Sequence, residues 1–109
     1  MIVEENYIQK AGGDSVENVN ISDIRKAILE LPKMDDEHGA FWVGVFGPEI
    51  DEVILEVHKD LTLICNFDGT RESELKIVAE NWIEVESNYE LLLKGDLTEL
   101  KKRMKKNLE

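Results

Sequence analysis

Two stretches of strict apolar alternation, joined by only two residues, constrain this chain more than any other feature in it. Val53, Leu55 and Val57 alternate with Ile54, Glu56 and His58; after Lys59-Asp60, Leu61, Leu63, Cys65 and Phe67 alternate with Thr62, Ile64 and Asn66. A period of two marks strands with one face turned to a core. So short a link cannot hold a parallel crossover, so the strands must run antiparallel. Residues 41–46 add a dense aromatic and β-branched run closed by Gly47-Pro48. Beyond the turn signal Asp68-Gly69, residues 75–79 read as a further strand or the start of a helix, the strand being preferred, and residues 1–10, with Ile2, Tyr7 and Ile8, as an edge strand. The expectation is an antiparallel meander of three to five strands.

Helical period flanks the meander on both sides. Asn20-Ile21-Ser22-Asp23 offers N-caps, and Ile24, Ala27, Ile28 and Leu31 behind it fall on one stripe. Pro32 disfavours helical geometry in the residue before it and ends the helix near Leu31. Near the C-terminus, Asn81-Trp82-Ile83-Glu84 fits a capping box ahead of a Trp82, Val85, Tyr89, Leu92 stripe. Gly95 is the natural left-handed stop, and Asp96-Leu97-Thr98-Glu99 caps a last helix with Leu97, Leu100, Met104 and Leu108 on its apolar side. Gly12-Gly13-Asp14-Ser15 is the clearest early loop. The fold class is therefore α+β, with an N-terminal helix, a meander and a C-terminal helix pair, in a single domain over residues 1–109.

Charge restricts the partners. With 24 Asp+Glu against 13 Lys+Arg the net charge is −11, which repels phosphate backbones and anionic lipid. Neither nucleic acid nor a membrane surface is an expected partner. The longest uncharged apolar run, residues 40–47, is far short of the roughly 20 residues that span a bilayer. There is no basic start followed by an apolar segment to suggest a secretory signal. One cysteine excludes an internal disulfide framework and fits a reducing, cytoplasmic setting. The charge is also uneven: residues 94–109 carry six basic and three acidic groups, and the rest of the chain seven and 21. Cations in a final helix complement its dipole.

Motifs for chemistry are missing. His38 closes Asp35-Asp36-Glu37-His38, but adjacent residues of an extended loop point apart, and calcium cages need ligands at alternate positions around a glycine turn. No metal site is expected there. His58 shares a strand face with Glu56, while Cys65, the one thiol, alternates toward the core, which argues against a Cys–His nucleophile. No phosphate loop, zinc-protease motif, nucleophile elbow or CxxC pair occurs. The chain is expected not to be an enzyme and to need no cofactor.

The second face of the sheet holds the sharper signal. If Val53, Leu55, Val57, Leu61, Leu63, Cys65 and Phe67 meet the helices, the opposite face carries Ile54, Glu56, His58, Thr62, Ile64 and Asn66. Trp42, or its neighbours Phe41 and Val43, must join them. A face with that much apolar character is either covered or a contact surface. Cover by the N-terminal segment or a terminal helix is the simpler expectation; an aromatic patch ringed by carboxylates, as protein-binding surfaces are often built, is the other. Leu91 and Leu93, off the main stripe of their helix, pose the same choice.

In size, acidity, helix–meander–helix order and Phe41-Trp42-Val43 opening the meander, the chain resembles small acidic bacterial toxin-immunity proteins. The resemblance implies an inhibitor that blocks a basic protein such as a nuclease toxin. Under that reading Asp35, Asp36, Glu37, Glu49, Asp51, Glu52 and Glu56 are steering charges in or beside loops at the ends of the sheet, and Trp42 is the anchor. The alternatives are a homodimer or other structural domain without catalysis, and a small-ligand binder using Glu56 and His58.

Overall fold

A computed structural model of the chain describes residues 5–10, 13, 15–34, 39–47, 50–67 and 74–106. The alternating segments form one six-stranded antiparallel sheet in the order β2-β1-β3-β4-β5-β6. Its strands are β1 (Glu5–Lys10), β2 (Ser15–Glu17), β3 (Ala40–Gly47), β4 (Ile50–His58), β5 (Thr62–Asn66) and β6 (Glu74–Val78). From β3 onward the order is that of a meander, each strand pairing with the next along the chain. The early strand is present but is not an edge. β1 lies between β2 and β3, because residues 15–17 fold back past Gly13 and take the outer position. Gly13 has φ 107, which a side chain would strain, and its amide donates to the Lys10 carbonyl at 2.9 Å.

The turn between β4 and β5 runs one residue longer than alternation suggested. Leu61 sits in the left-handed region at φ 73, its amide donating to the His58 carbonyl at 3.0 Å, so the strand starts at Thr62. Leu61 is part of the turn and only partly buried against the core. The Asp68-Gly69 turn and Leu108 lie outside the described residues.

Three helices, α1 (Ile21–Glu30), α2 (Trp82–Lys94) and α3 (Leu97–Lys106), pack on one face of the sheet. Asn20 caps α1 with a complete box: Asp23 N–H donates to Asn20 Oδ1 at 3.1 Å, and Asn20 N–H donates to Asp23 Oδ2 at 2.9 Å. The predicted stripe Ile24, Ala27, Ile28, Leu31 is buried throughout, and the chain passes through a 3₁₀ turn, Leu31–Lys33, at Pro32. At α2 only half of the predicted box forms. Glu84 N–H donates to Asn81 Oδ1 at 2.9 Å, but the Glu84 carboxylate accepts from the Glu80 amide at 2.8 Å instead of the cap's own. Gly95 ends α2 at φ 77, and the Asp96 side chain caps α3.

One core joins the layers. Phe41, Val43, Val45, Val53, Leu55, Val57, Leu63 and Cys65 on the sheet are buried together with Ile24, Ile28, Val85, Tyr89, Leu92, Leu100 and Met104 on the helices. Tyr89 is its pin: the ring stacks on Phe41 with centroids 5.5 Å apart, and the hydroxyl donates to the Leu55 carbonyl at 2.8 Å. Leu91 and Leu93 are half-buried against this same cluster. Among the described residues no helix is long and apolar enough to cross a membrane.

Candidate functional site

Because the helices occupy a single side, the other side of the sheet is left to solvent among the described residues. The expected cover by a terminal helix is not what the fold does: α2 and α3 both bury their apolar stripes on the Phe41–Leu55 side. Of the N-terminal segment, the described residues 5–10 do not lie across the sheet either, since they form one of its strands.

Register defines what the open face displays, since residues directly opposed in an antiparallel pair project to the same side. One row runs Gln9, Trp42, Glu56, Ile64, Lys76. The next runs Glu17, Tyr7, Gly44, Ile54, Asn66, Glu74. Glu5 opposes Phe46 beyond them. Trp42, Ile54 and Ile64 are half-buried, and among the described residues no helix packs on their side of the sheet. With Glu56, Asn66 and Glu74 they line a shallow depression of about 260 Å³.

Tyr7 organises the other half of the face. Its ring lies across Gly44, where a Cβ would come within 2.6 Å of the hydroxyl oxygen, so only glycine leaves room beneath it. The hydroxyl donates to the Glu52 carboxylate. Partial burial, and then that carboxylate as acceptor and negative neighbour, push the phenol up to about 12. Beside Tyr7, Glu5, Gln9, Glu17 and Phe46 line a second depression of about 260 Å³.

Charge on this face is one-sided. Glu5, Glu17, Glu52, Glu56 and Glu74 project there, against Lys76 alone among the strand lysines and arginines described. Lys10, the other strand lysine described, pairs with Glu30 of α1 at 2.8 Å. The cations of α2 and α3 lie in the helical layer: Lys101 sits over the Phe67 ring, 5.7 Å from its centroid, and Arg103 bonds Ser87 and Glu99.

The structure separates the sequence candidates. Trp42 is on the open face, and Phe41 and Val43 are in the core. Glu56 is not beside a loop at the end of the sheet. It is central, opposite Trp42 on one side and Ile64 on the other, because β4 runs unbroken to His58. Asp51 and Glu52 fall inside β4 but in its first three residues, beside the link from β3 as expected. Glu52 faces Tyr7; Asp35, Asp36, Glu37 and Glu49 lie outside the described residues, as does the Asp51 side chain. The Glu56–His58 pair expected from spacing forms at 2.6 Å. The one thiol is on the far side of the sheet, in the core, where burial pushes Cys65 up to about 12. Among the described residues no group of His, Cys, Asp and Glu is arranged to hold a metal ion.

Tyr7, Gly44, Phe46, Glu5, Glu17 and Glu74 were not singled out from sequence. They meet only through pairing between strands distant along the chain. Gly44, a lone glycine inside a strand pattern, was the available clue to a close approach. Comparison with protein-family models, curated proteins and solved structures finds no match to this chain.

Proposed function

We propose that the chain is a non-catalytic protein-binding module whose open sheet face receives a basic polypeptide, in the manner of an immunity-type inhibitor of a cationic toxin. The carrying observation is the Trp42, Ile54, Ile64 strip, left uncovered by the helical layer and edged by Glu52, Glu56 and Glu74. An aromatic centre gives a partner something to desolvate, and a carboxylate rim steers cations toward it over about 10 Å at ordinary salt. A nuclease groove built for phosphates presents the complementary charge.

Self-association through the same face is opposed by its own chemistry. In a two-fold contact the five glutamates of one copy would meet those of the other, with Lys76 the one strand cation described there to offset them. The Glu56–His58 pair borders an open depression and not an enclosed pocket, which favours a docked surface over a sequestered small ligand.

The test is site-specific photo-crosslinking in the native cell. A photoreactive residue replaces Ile64 on the open face or, as a control, Ile83 on the exposed side of α2. The expected result is a basic protein captured from position 64 and not from position 83. Its purified complex should weaken steeply as salt rises from about 50 to 300 mM. Capture from position 83 alone, or a complex indifferent to salt, refutes the reading.

A further inference from the structure

The open face does not present one aromatic patch but two, and their separation specifies the partner further. The first depression lies across β2, β1 and β3, with Tyr7 and Phe46 as its rings and Glu5 and Glu17 as its carboxylates. The second lies across β3 to β6, with Trp42 as its ring and Glu56 and Glu74 as its carboxylates. Between them stands a ridge: the Tyr7 ring laid over Gly44, held by its hydrogen bond to Glu52. Each depression measures about 260 Å³, room for one long side chain but not for a folded element.

We infer that the face receives two cationic side chains of the partner at once, one in each depression, set about 12 Å apart. This rests on the reading of the open face as a docking surface for a basic protein. A lysine or arginine is the side chain whose two ends match such a lining. Its methylene stem lies along an aromatic ring, and its charged head meets a ring face or a carboxylate. Glu5 and Glu17 have no salt-bridge partner within the described residues, so both are open to an incoming cation. The spacing follows from the strand order. The first depression centres on β1 and the second between β4 and β5, two and a half steps of about 4.8 Å. On a helix, cations seven residues apart share a face and stand about 10.5 Å apart, whereas a four-residue spacing reaches only about 6 Å. The partner segment is thus a helix with basic residues at i and i+7, or a strand with them at i and i+4.

The probe is a pair of alanine-rich helical peptides of equal charge, one with two arginines seven residues apart and one with them four apart. Each is titrated into the isotope-labelled protein at about 20 mM salt, where charge contacts are least screened. The seven-residue peptide should bind about tenfold tighter, through the effective concentration of its second arginine. It should shift the Trp42 indole and Tyr7 ring resonances together. Glu17→Gln and Glu74→Gln, one in each depression, should each bring it down to the four-residue peptide's level. Equal affinity for the two peptides, with shifts on the open face, overturns the two-point inference and leaves the docking surface standing. Shifts confined to α2 and α3, or no shifts, overturn both.

Discussion

Gly44→Ala should change sign according to whether Tyr7 is present. The glycine has an ordinary strand φ, so alanine is compatible with its backbone, and the lower unfolded-state entropy alone should stabilise by about 0.4–1 kcal/mol. The Tyr7 ring blocks that gain. A new methyl would sit within 2.6 Å of the phenol oxygen, so the ring must leave the surface of β3 and give up its bond to Glu52. A hydrogen bond to a carboxylate contributes roughly 1.5–3 kcal/mol when buried. Tyr7 is only half-buried, so we set the loss, with the ring's lost contact area, at about 1.5–2 kcal/mol. Gly44→Ala in the parent is therefore destabilising by about 1 kcal/mol, whereas in a Tyr7→Ala background it is stabilising by about 0.5 kcal/mol. Urea unfolding of the four proteins, followed by far-ultraviolet circular dichroism, gives the cycle directly. A coupling indistinguishable from zero, with Gly44→Ala costing the same in both backgrounds, would refute the placement of Tyr7 over β3. The measurement bears on function as well, since that ring is the ridge between the two depressions.

Asn20→Ala should cost about 1 kcal/mol in urea unfolding, because it takes away the acceptor of the Asp23 amide and leaves only the backbone half of the α1 capping box. Cys65 should react with a thiol reagent at pH 8 only through global unfolding, so its labelling rate should rise with urea along the unfolding limb; a denaturant-independent rate would contradict its burial. Stability should fall as pH rises from about 9 toward 12. Over that window Cys65, Tyr7 and Tyr89 keep their protons folded but release them unfolded: burial raises all three, and Glu52 adds to the shift at Tyr7. Stability from these groups is complete below pH 9, and a Cys65→Ala variant should show a shallower alkaline slope. Finally, joint replacement of Glu5, Glu17, Glu56 and Glu74 by glutamine should make the protein self-associate with rising concentration in sedimentation velocity; a monomer at every concentration would mean that charge does not keep copies apart.

What the sequence disclosed follows the range of the interactions. Helix ends were legible because Asn20, Pro32, Gly95 and Asp96 act on amides and carbonyls within a turn of themselves. The meander was legible because alternation and a two-residue link fix antiparallel pairing locally. The limits of local reading show at α2, where Glu84 satisfies the Glu80 amide instead of its own cap, a choice between two donors one residue apart. Pairing of β1 with β3 joins residues more than thirty positions apart, such as Tyr7 with Gly44, and no local preference announces it. The candidate site inherits that division. Trp42, Glu52 and Glu56 came from adjacent strands and were found; Tyr7, Glu17 and Glu74 came from strands whose neighbours only the fold decides.

A two-layer α+β fold ordinarily resolves its second sheet face by making it polar, since only one side can meet the helices. Here Trp42, Ile54, Ile64, Tyr7 and Phe46 break that rule, while the opposite face is filled without them. None of the five is required by the core, whose own residues are closed over by Tyr89, Leu92, Leu100 and Met104. Exposed aromatic and aliphatic groups on a sheet invite stacking of like on like, and the carboxylates between them oppose that outcome directly. Repulsion between identical faces and attraction for a basic one are the same field met by surfaces of opposite sign. Under the proposed reading, that coupling would account for glutamates interleaved with the rings, Glu56 beside Trp42 and Glu17 beside Tyr7, instead of confined to the sheet's outer loops. Removed to the rim, they would steer a partner equally well but would leave the apolar centre free to pair with itself.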